Sequence, residues 1–172
     1  LLRPSPASFC STCSADHLDR DPEIKSMEYY NEHAKLRQYF YTIDTRGGLF
    51  LEETIPRNIA TSLKDKRFLS FFYSQLRKNT TGIFPEYPFV SLCGKEQNFV
   101  MPLDPLCAFV YTELSRDNKT MYYGSKEEDL TAPVASGDDV AGFGKAAFDP
   151  HLLSFNSHTG RLYYPVMNHR FL

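Results

Sequence analysis

The sequence predicts an α+β fold: a single domain in which a mostly antiparallel sheet carries one main amphipathic helix, at about residues 64–78. Three observations predict it. A hairpin pattern, Tyr39-Phe-Tyr-Thr-Ile-Asp44 and then Gly47-Gly-Leu-Phe-Leu-Glu52, opens the patterned region. A stripe of apolar residues at helical spacing follows, and short β-prone runs punctuated by Gly and Pro fill most of the remainder. The composition agrees, because 14 Phe and 11 Tyr without any Trp suit half-buried pleated surfaces better than a bundle. At 172 residues with 42% hydrophobic content, the chain has the apolar mass for one sizeable core.

Residues 1–27 read as an unstructured terminus or a transit-peptide remnant. The first fifteen, LLRPSPASFCSTCSA, hold one Arg, four Ser and no acid. That composition fits the end of a mitochondrial address, and it equally fits a terminus without any address. The chain starts at Leu1 rather than Met and reads as processed or partial. Pro22 to Lys35 reads as a polar lead-in or a short helix, and residues 28–172 as the domain itself.

Within the domain, Tyr39, Tyr41 and Ile43 alternate with Phe40 and Thr42, so the first strand carries aromatics on both faces and both are expected to be covered. Gly47 and Gly48 supply the backbone freedom of a tight turn, Leu49 to Glu52 forms the partner strand, and Pro56 ends it. In Lys64 to Lys78, Phe68, Phe72 and Leu76 recur at i, i+4 and i+8 with Leu69 beside them, a stripe for packing on the sheet. Asp65 suits the start of that helix, and Arg77 and Lys78 suit its end. Asn79-Thr-Thr-Gly82 is a turn. Strands are expected at Pro88–Cys93, Asn98–Met101, Ala108–Glu113 and Met121–Tyr123. Residues 124–147, rich in glycine, alanine and acids without periodicity, read as a loop-like insertion. Phe148 to Leu153 reads as a turn or helix start and Gly160 to Pro165 as a final strand.

Charge and cysteines narrow the chemistry. With 19 Lys and Arg against 21 Asp and Glu, the net charge is −2, so nucleic acid is not an expected partner. No run of 18 apolar residues exists, and no transmembrane segment is expected. Cys10 and Cys13 form a CxxC in a Ser-rich terminus, whereas Cys93 and Cys107 lack the close spacing of a second ligand pair. Neither a metal nor a cofactor is expected, and the thiols are expected to be reduced.

The best candidate for chemistry is Ser91-Leu-Cys93-Gly-Lys-Glu96-Gln-Asn98, with Asp44 as a further acid. A cation such as Lys95 beside Cys93 would favour the thiolate, Glu96 could orient a partner or act as a base, and Asn98 could donate to a developing oxyanion. The structural alternative is an inward-facing Cys93 followed by a polar hairpin loop. Asp44 and Asp104 sit at strand ends, where an Asp commonly bonds its own backbone. Lys64, Lys66, Arg67, Arg77 and Lys78 make the helix basic at both ends, which offers an anionic site with Tyr39 or Tyr41 stacking, or simply a solvated surface.

Several blocks together resemble a eukaryotic family of uncharacterised proteins, small and mitochondrial in type. They are RQYFYTIDTRGGLFLEE, KDKRFLSFFYSQLRKNTTG, PFVSLCGKEQNFV and GRLYYP, in order over about residues 37–114 and again at 160–165. Tyr164 replaces the His of the family pattern, and the cysteine that follows the Asn-Phe block there is displaced to Cys107. The family continues past this point, so the chain reads as truncated at its C-terminus. The resemblance implies a mitochondrial location and no established activity.

Three readings of function follow. The leading one is a non-catalytic mitochondrial protein that acts through contacts with a protein partner. The second is an enzyme or small-molecule binder using Cys93 to Asn98 near Asp44. The third is RNA or nucleotide binding on the aromatic strand and the basic helix.

Overall fold

Ser26 starts the first helix, α1 (Met27–Lys35), by accepting a hydrogen bond from the Tyr29 amide, and Glu28 complements the N-terminal dipole. The computed structural model describes residues 23–104, 107–123, 144–158 and 160–165. After α1 the chain passes through Arg37, at φ 57, into strand β1 (Gln38–Ile43). A tight turn containing Gly47, at φ +85, leads into β2 (Leu49–Leu51). Helix α2 (Lys66–Gln75) begins where Asp65 accepts from the Phe68 amide at 2.7 Å.

Helix α2 is shorter than the sequence predicts. At Leu76 the backbone opens to ψ 133, and Leu76–Lys78 forms a strand, β3. Arg77 and Lys78 therefore lie on a sheet edge and not at a helix end. The stripe misled because Leu76 stays buried: the residue that would have continued the helical face is instead the first residue of a strand. Its pairing with Ser91 supplies backbone partners along the next strand.

Strands β4 (Phe89–Cys93) and β5 (Glu96–Pro102) form a hairpin through Gly94, at φ +64, and Lys95. They complete a five-stranded sheet of order β2-β1-β5-β4-β3. Its pairs are antiparallel except the central one, where β1 and β5 run parallel from Gln38↔Gln97 to Ile43↔Pro102. A parallel pair needs a crossover, which α2 and the β3–β4 hairpin provide between them.

Both faces of β1 are covered, as the double-sided aromatic pattern predicts. On one face Tyr41, Ile43, Leu49 and Val100 pack with Leu69, Phe72 and Tyr73 of α2. On the other, Phe40, Val90 and Phe99 pack with Tyr30 of α1 and with Tyr87.

A second, three-stranded sheet joins β6 (Tyr111–Leu114), β7 (Thr120–Tyr123) and β8 (Gly144–Ala147). It docks on the α2 side, where Tyr73 lies 5.4 Å from Phe109 and 6.2 Å from Tyr123. Two expectations are corrected here. Residues 108–110 are not strand, although Ala108 and Phe109 are buried, so apolar content alone had suggested one. The end of the expected insertion is ordered strand, Gly144–Ala147, while residues 124–143 lie outside the described residues. Gly144 suits that position because a Cβ there would fall 2.0 Å from the Tyr123 ring.

A 3-10 turn at Pro150–Leu152 leads to a last hairpin, β9 (Ser154–Asn156) with β10 (Arg161–Tyr163). Tyr164, which replaces the histidine of the resembled pattern, receives a bond from the Asp149 amide and donates to the Ala147 carbonyl. Among the described residues no helix is long and apolar enough to cross a membrane.

Candidate functional site

The β4–β5 hairpin brings three of the four sequence-predicted residues together. Antiparallel register sets Cys93 opposite Glu96 and Ser91 opposite Asn98, so all four side chains project to the face under α2. Ser91 Oγ donates to the Phe72 carbonyl at 2.7 Å and lies 3.3 Å from Cys93 Sγ. Asn98 is fully buried, and its Nδ2 donates to the Ser91 carbonyl at 3.0 Å, while its Oδ1 has no hydrogen-bond partner. Tyr41 closes the group from β1, its hydroxyl pushed up by burial and then by Glu96 and Cys93 nearby.

This arrangement does not activate the sulfur. Burial pushes the Cys93 thiol up and Glu96 raises it further, while hydrogen bonds from Ser91 and, less, Asn98 offset only part of that. Lys95, the cation that the sequence offers as a thiolate partner, is exposed in the turn. At neutral pH Cys93 is a protonated thiol and a weak nucleophile.

Asp44 does not join the group. Its Oδ1 accepts from the amides of Arg46 (3.0 Å) and Gly48 (2.7 Å), closing the β1–β2 turn. Because β1 and β5 are parallel with Tyr39 aligned to Asn98, Asp44 stands five strand positions beyond, roughly 16 Å away at about 3.3 Å per residue. Asp104 bonds across the chain: its Oδ2 accepts from Arg161 Nη1 at 3.1 Å and from the Tyr163 hydroxyl at 2.9 Å. Tyr41 is only 6% exposed under α2, so it offers no stacking face to a nucleic-acid base. Cys10 and Cys13 lie outside the described residues. Among the described residues no group of three His, Cys, Asp or Glu is placed to hold a metal ion.

A second polar centre escaped the sequence reading. Glu52, directly after β2, is 0% exposed. Its Oε1 accepts from the Tyr30 hydroxyl at 3.0 Å, its Oε2 from the Tyr87 hydroxyl, and Lys25 Nζ stands 3.5 Å from Oε1. Lys25 Nζ also donates to the Tyr87 hydroxyl at 2.7 Å. Burial, then the nearby Glu52, pushes the Tyr30 hydroxyl up to about 12, and burial with the Glu52 bond pushes Tyr87 higher still. Both tyrosines therefore remain donors over the whole neutral range. The ammonium lies over three rings, 5.1 Å from the centroid of Tyr29, 5.5 Å from Phe40 and 5.0 Å from Tyr87. A cleft of about 130 Å³ shares the Tyr30 and Phe40 walls and continues along Ala34 and Leu51.

One signal in the sequence pointed to this centre. Strand alternation puts Glu52 on the same side as Phe50, an inward position for a residue that composition assigns to solvent. Its partners, 22 and 35 residues away, carry no spacing that marks them.

A family model described as a domain of unknown function (DUF4505) matches residues 29–170. No solved structure matches the chain.

Proposed function

The chain belongs to the DUF4505 family of domains of unknown function, and from that premise we propose that it acts without catalysis, through contact with a protein partner, in the mitochondrion. The observation that carries this reading is the last hairpin. Phe155 and Leu162 are cross-strand neighbours in β9 and β10 and are 64% and 63% exposed. Apolar pairs on a two-stranded ribbon cost solvation unless another surface covers them. The state of the candidate chemistry supports the same reading. Cys93 is a protonated thiol, and Asp44 is engaged in its own turn at the other end of the sheet. The mitochondrial part is supported by the acid-free, Ser-rich residues 1–15 and by the family resemblance.

The test places a photo-crosslinking amino acid at Leu162 in the full chain inside cells. A discrete adduct with one other polypeptide, lost when Phe155→Asp is added, is expected. Irradiation that yields only the unmodified chain would remove the reading. For the location, the protein made in cells from its natural start codon should fractionate with mitochondria, and recovery in the cytosol would sink that part alone.

A further inference from the structure

We propose that the cage around Glu52 is a binding site for a primary alkylammonium group, occupied in this chain by its own Lys25. The inference is independent of the hairpin surface described above. The acidic half of the site is built into the fold: Glu52 is fully buried, and Tyr30 and Tyr87 fix its two oxygens from α1 and from the loop before β4. The cationic half is delivered differently. Lys25 belongs to the chain entering α1, and its side chain keeps 31% of its surface exposed. The ammonium of a partly exposed side chain thus meets a buried carboxylate among the rings of Tyr29, Phe40 and Tyr87.

The chemistry of the ligand follows from the contacts. Three rings around one cation attract positive charge through their quadrupoles, and the polar contacts decide which cation. The Tyr87 hydroxyl donates to Glu52 and so presents its oxygen lone pairs to the cation, where it accepts an N–H from Lys25. That contact requires a nitrogen bearing hydrogens, so a primary ammonium fits and a quaternary one loses the bond. Two sources share this chemistry: the lysine side chain of another polypeptide, and a free alkylamine. In either case tethered Lys25 competes at an effective concentration in the millimolar range, so an outside ligand binds weakly until Lys25 withdraws.

The test is chemical rescue in the full chain. Lys25→Ala should unfold at a lower temperature than the wild type, and n-butylammonium should restore the lost degrees in a dose-dependent way. Neither n-butanol nor tetramethylammonium should do so, and Lys25→Ala with Glu52→Gln should not respond to butylammonium. A folded Lys25→Ala chain indifferent to butylammonium at tens of millimolar, the range set by the tether, overturns the proposal and leaves Lys25 a structural strap. Should Lys25→Ala not fold, the wild type with 15N-labelled lysine decides. Butylammonium must then shift the Lys25 Nζ resonance towards its solvent-exposed position, and an unmoved resonance overturns the site. Nα-acetyl-lysine methylamide separates the sources. Binding tighter than butylammonium assigns the cage to a polypeptide lysine, and binding no tighter assigns it to a free amine.

Discussion

Phe40 and Tyr41 are neighbours in β1 and belong to different cores: Phe40 stacks on Phe99 at 5.8 Å on one face, and Tyr41 meets Phe72 edge-on at 5.1 Å on the other. The strand is the partition between two apolar layers, which is the environment of a parallel central strand.

The separation makes the two layers independently testable. Phe72→Ala and Phe40→Ala each remove a fully buried ring and should each cost about 3–5 kcal/mol. Because the two lie in different clusters, the costs should add to within about 0.5 kcal/mol. Phe71→Ala, next to Phe72 but 51% exposed, should change stability by less than about 0.5 kcal/mol. Urea titrations of the three single variants and the double measure all four values. A Phe72→Ala loss below about 1 kcal/mol would mean that α2 does not pack on this sheet.

Cys93 gives a kinetic prediction. Burial raises its thiol, with Glu96 adding to the effect, so iodoacetamide at pH 8 should alkylate it several-fold more slowly in the native protein than in denaturant. Peptide mapping after timed quenching reads the rate. Native alkylation faster than the denatured rate would restore a nucleophilic role to Cys93.

How far the sequence was legible depends on the range of each interaction. The β1–β2 hairpin, the Asp65 helix start and the β4–β5 hairpin rest on neighbours in the chain, and residue types alone predict them. The end of α2 was misread because Leu76 satisfies the helical stripe and the strand pairing equally well, and only its partner Ser91 decides. The parallel β1–β5 pair joins residues 59 positions apart, which no local pattern encodes. The candidate site was half legible for the same reason. Cys93, Glu96 and Asn98 share a hairpin, whereas the Glu52 centre collects Lys25 and Tyr30 from the chain around the start of α1 and Tyr87 from the loop before β4.

Alkaline titration should expose the raised thiols and hydroxyls together. Cys107 moves from 9.0 to about 12, chiefly by burial and then by Asp104, and burial first of all moves Tyr30 and Tyr111 from 10.0 to about 12. Each folded-state value is raised, so the unfolded chain releases these protons first. Their contribution is complete below the unfolded values and is lost as pH climbs through the folded ones. Stability should therefore fall between pH 9 and pH 12. Replacing both thiols, Cys93→Ala with Cys107→Ala, should flatten the early part of the fall and leave the part above pH 10 that the tyrosines drive. Urea midpoints against pH give the slope, and a flat profile to pH 12 would contradict the burial of these groups.

Asp104 should control the last hairpin. A two-stranded ribbon is marginal in water by itself, and this one leaves its cross-strand pair Phe155 and Leu162 largely exposed. One link to the main sheet runs through Asp104, just beyond β5, which accepts from Arg161 and Tyr163 of β10. Asp104→Ala removes these two bonds from a site that is 8% exposed, and a loss of about 1–3 kcal/mol is expected. The loss should be local. Amide hydrogens of Ser154–Asn156 and Arg161–Tyr163 should exchange faster, while those of β1 and β5 keep their protection. Tyr163→Phe, which removes one bond and keeps the ring, should give a smaller increase at the same amides. Uniform acceleration across β1, β5 and the hairpin would instead mean that Asp104 supports the whole fold.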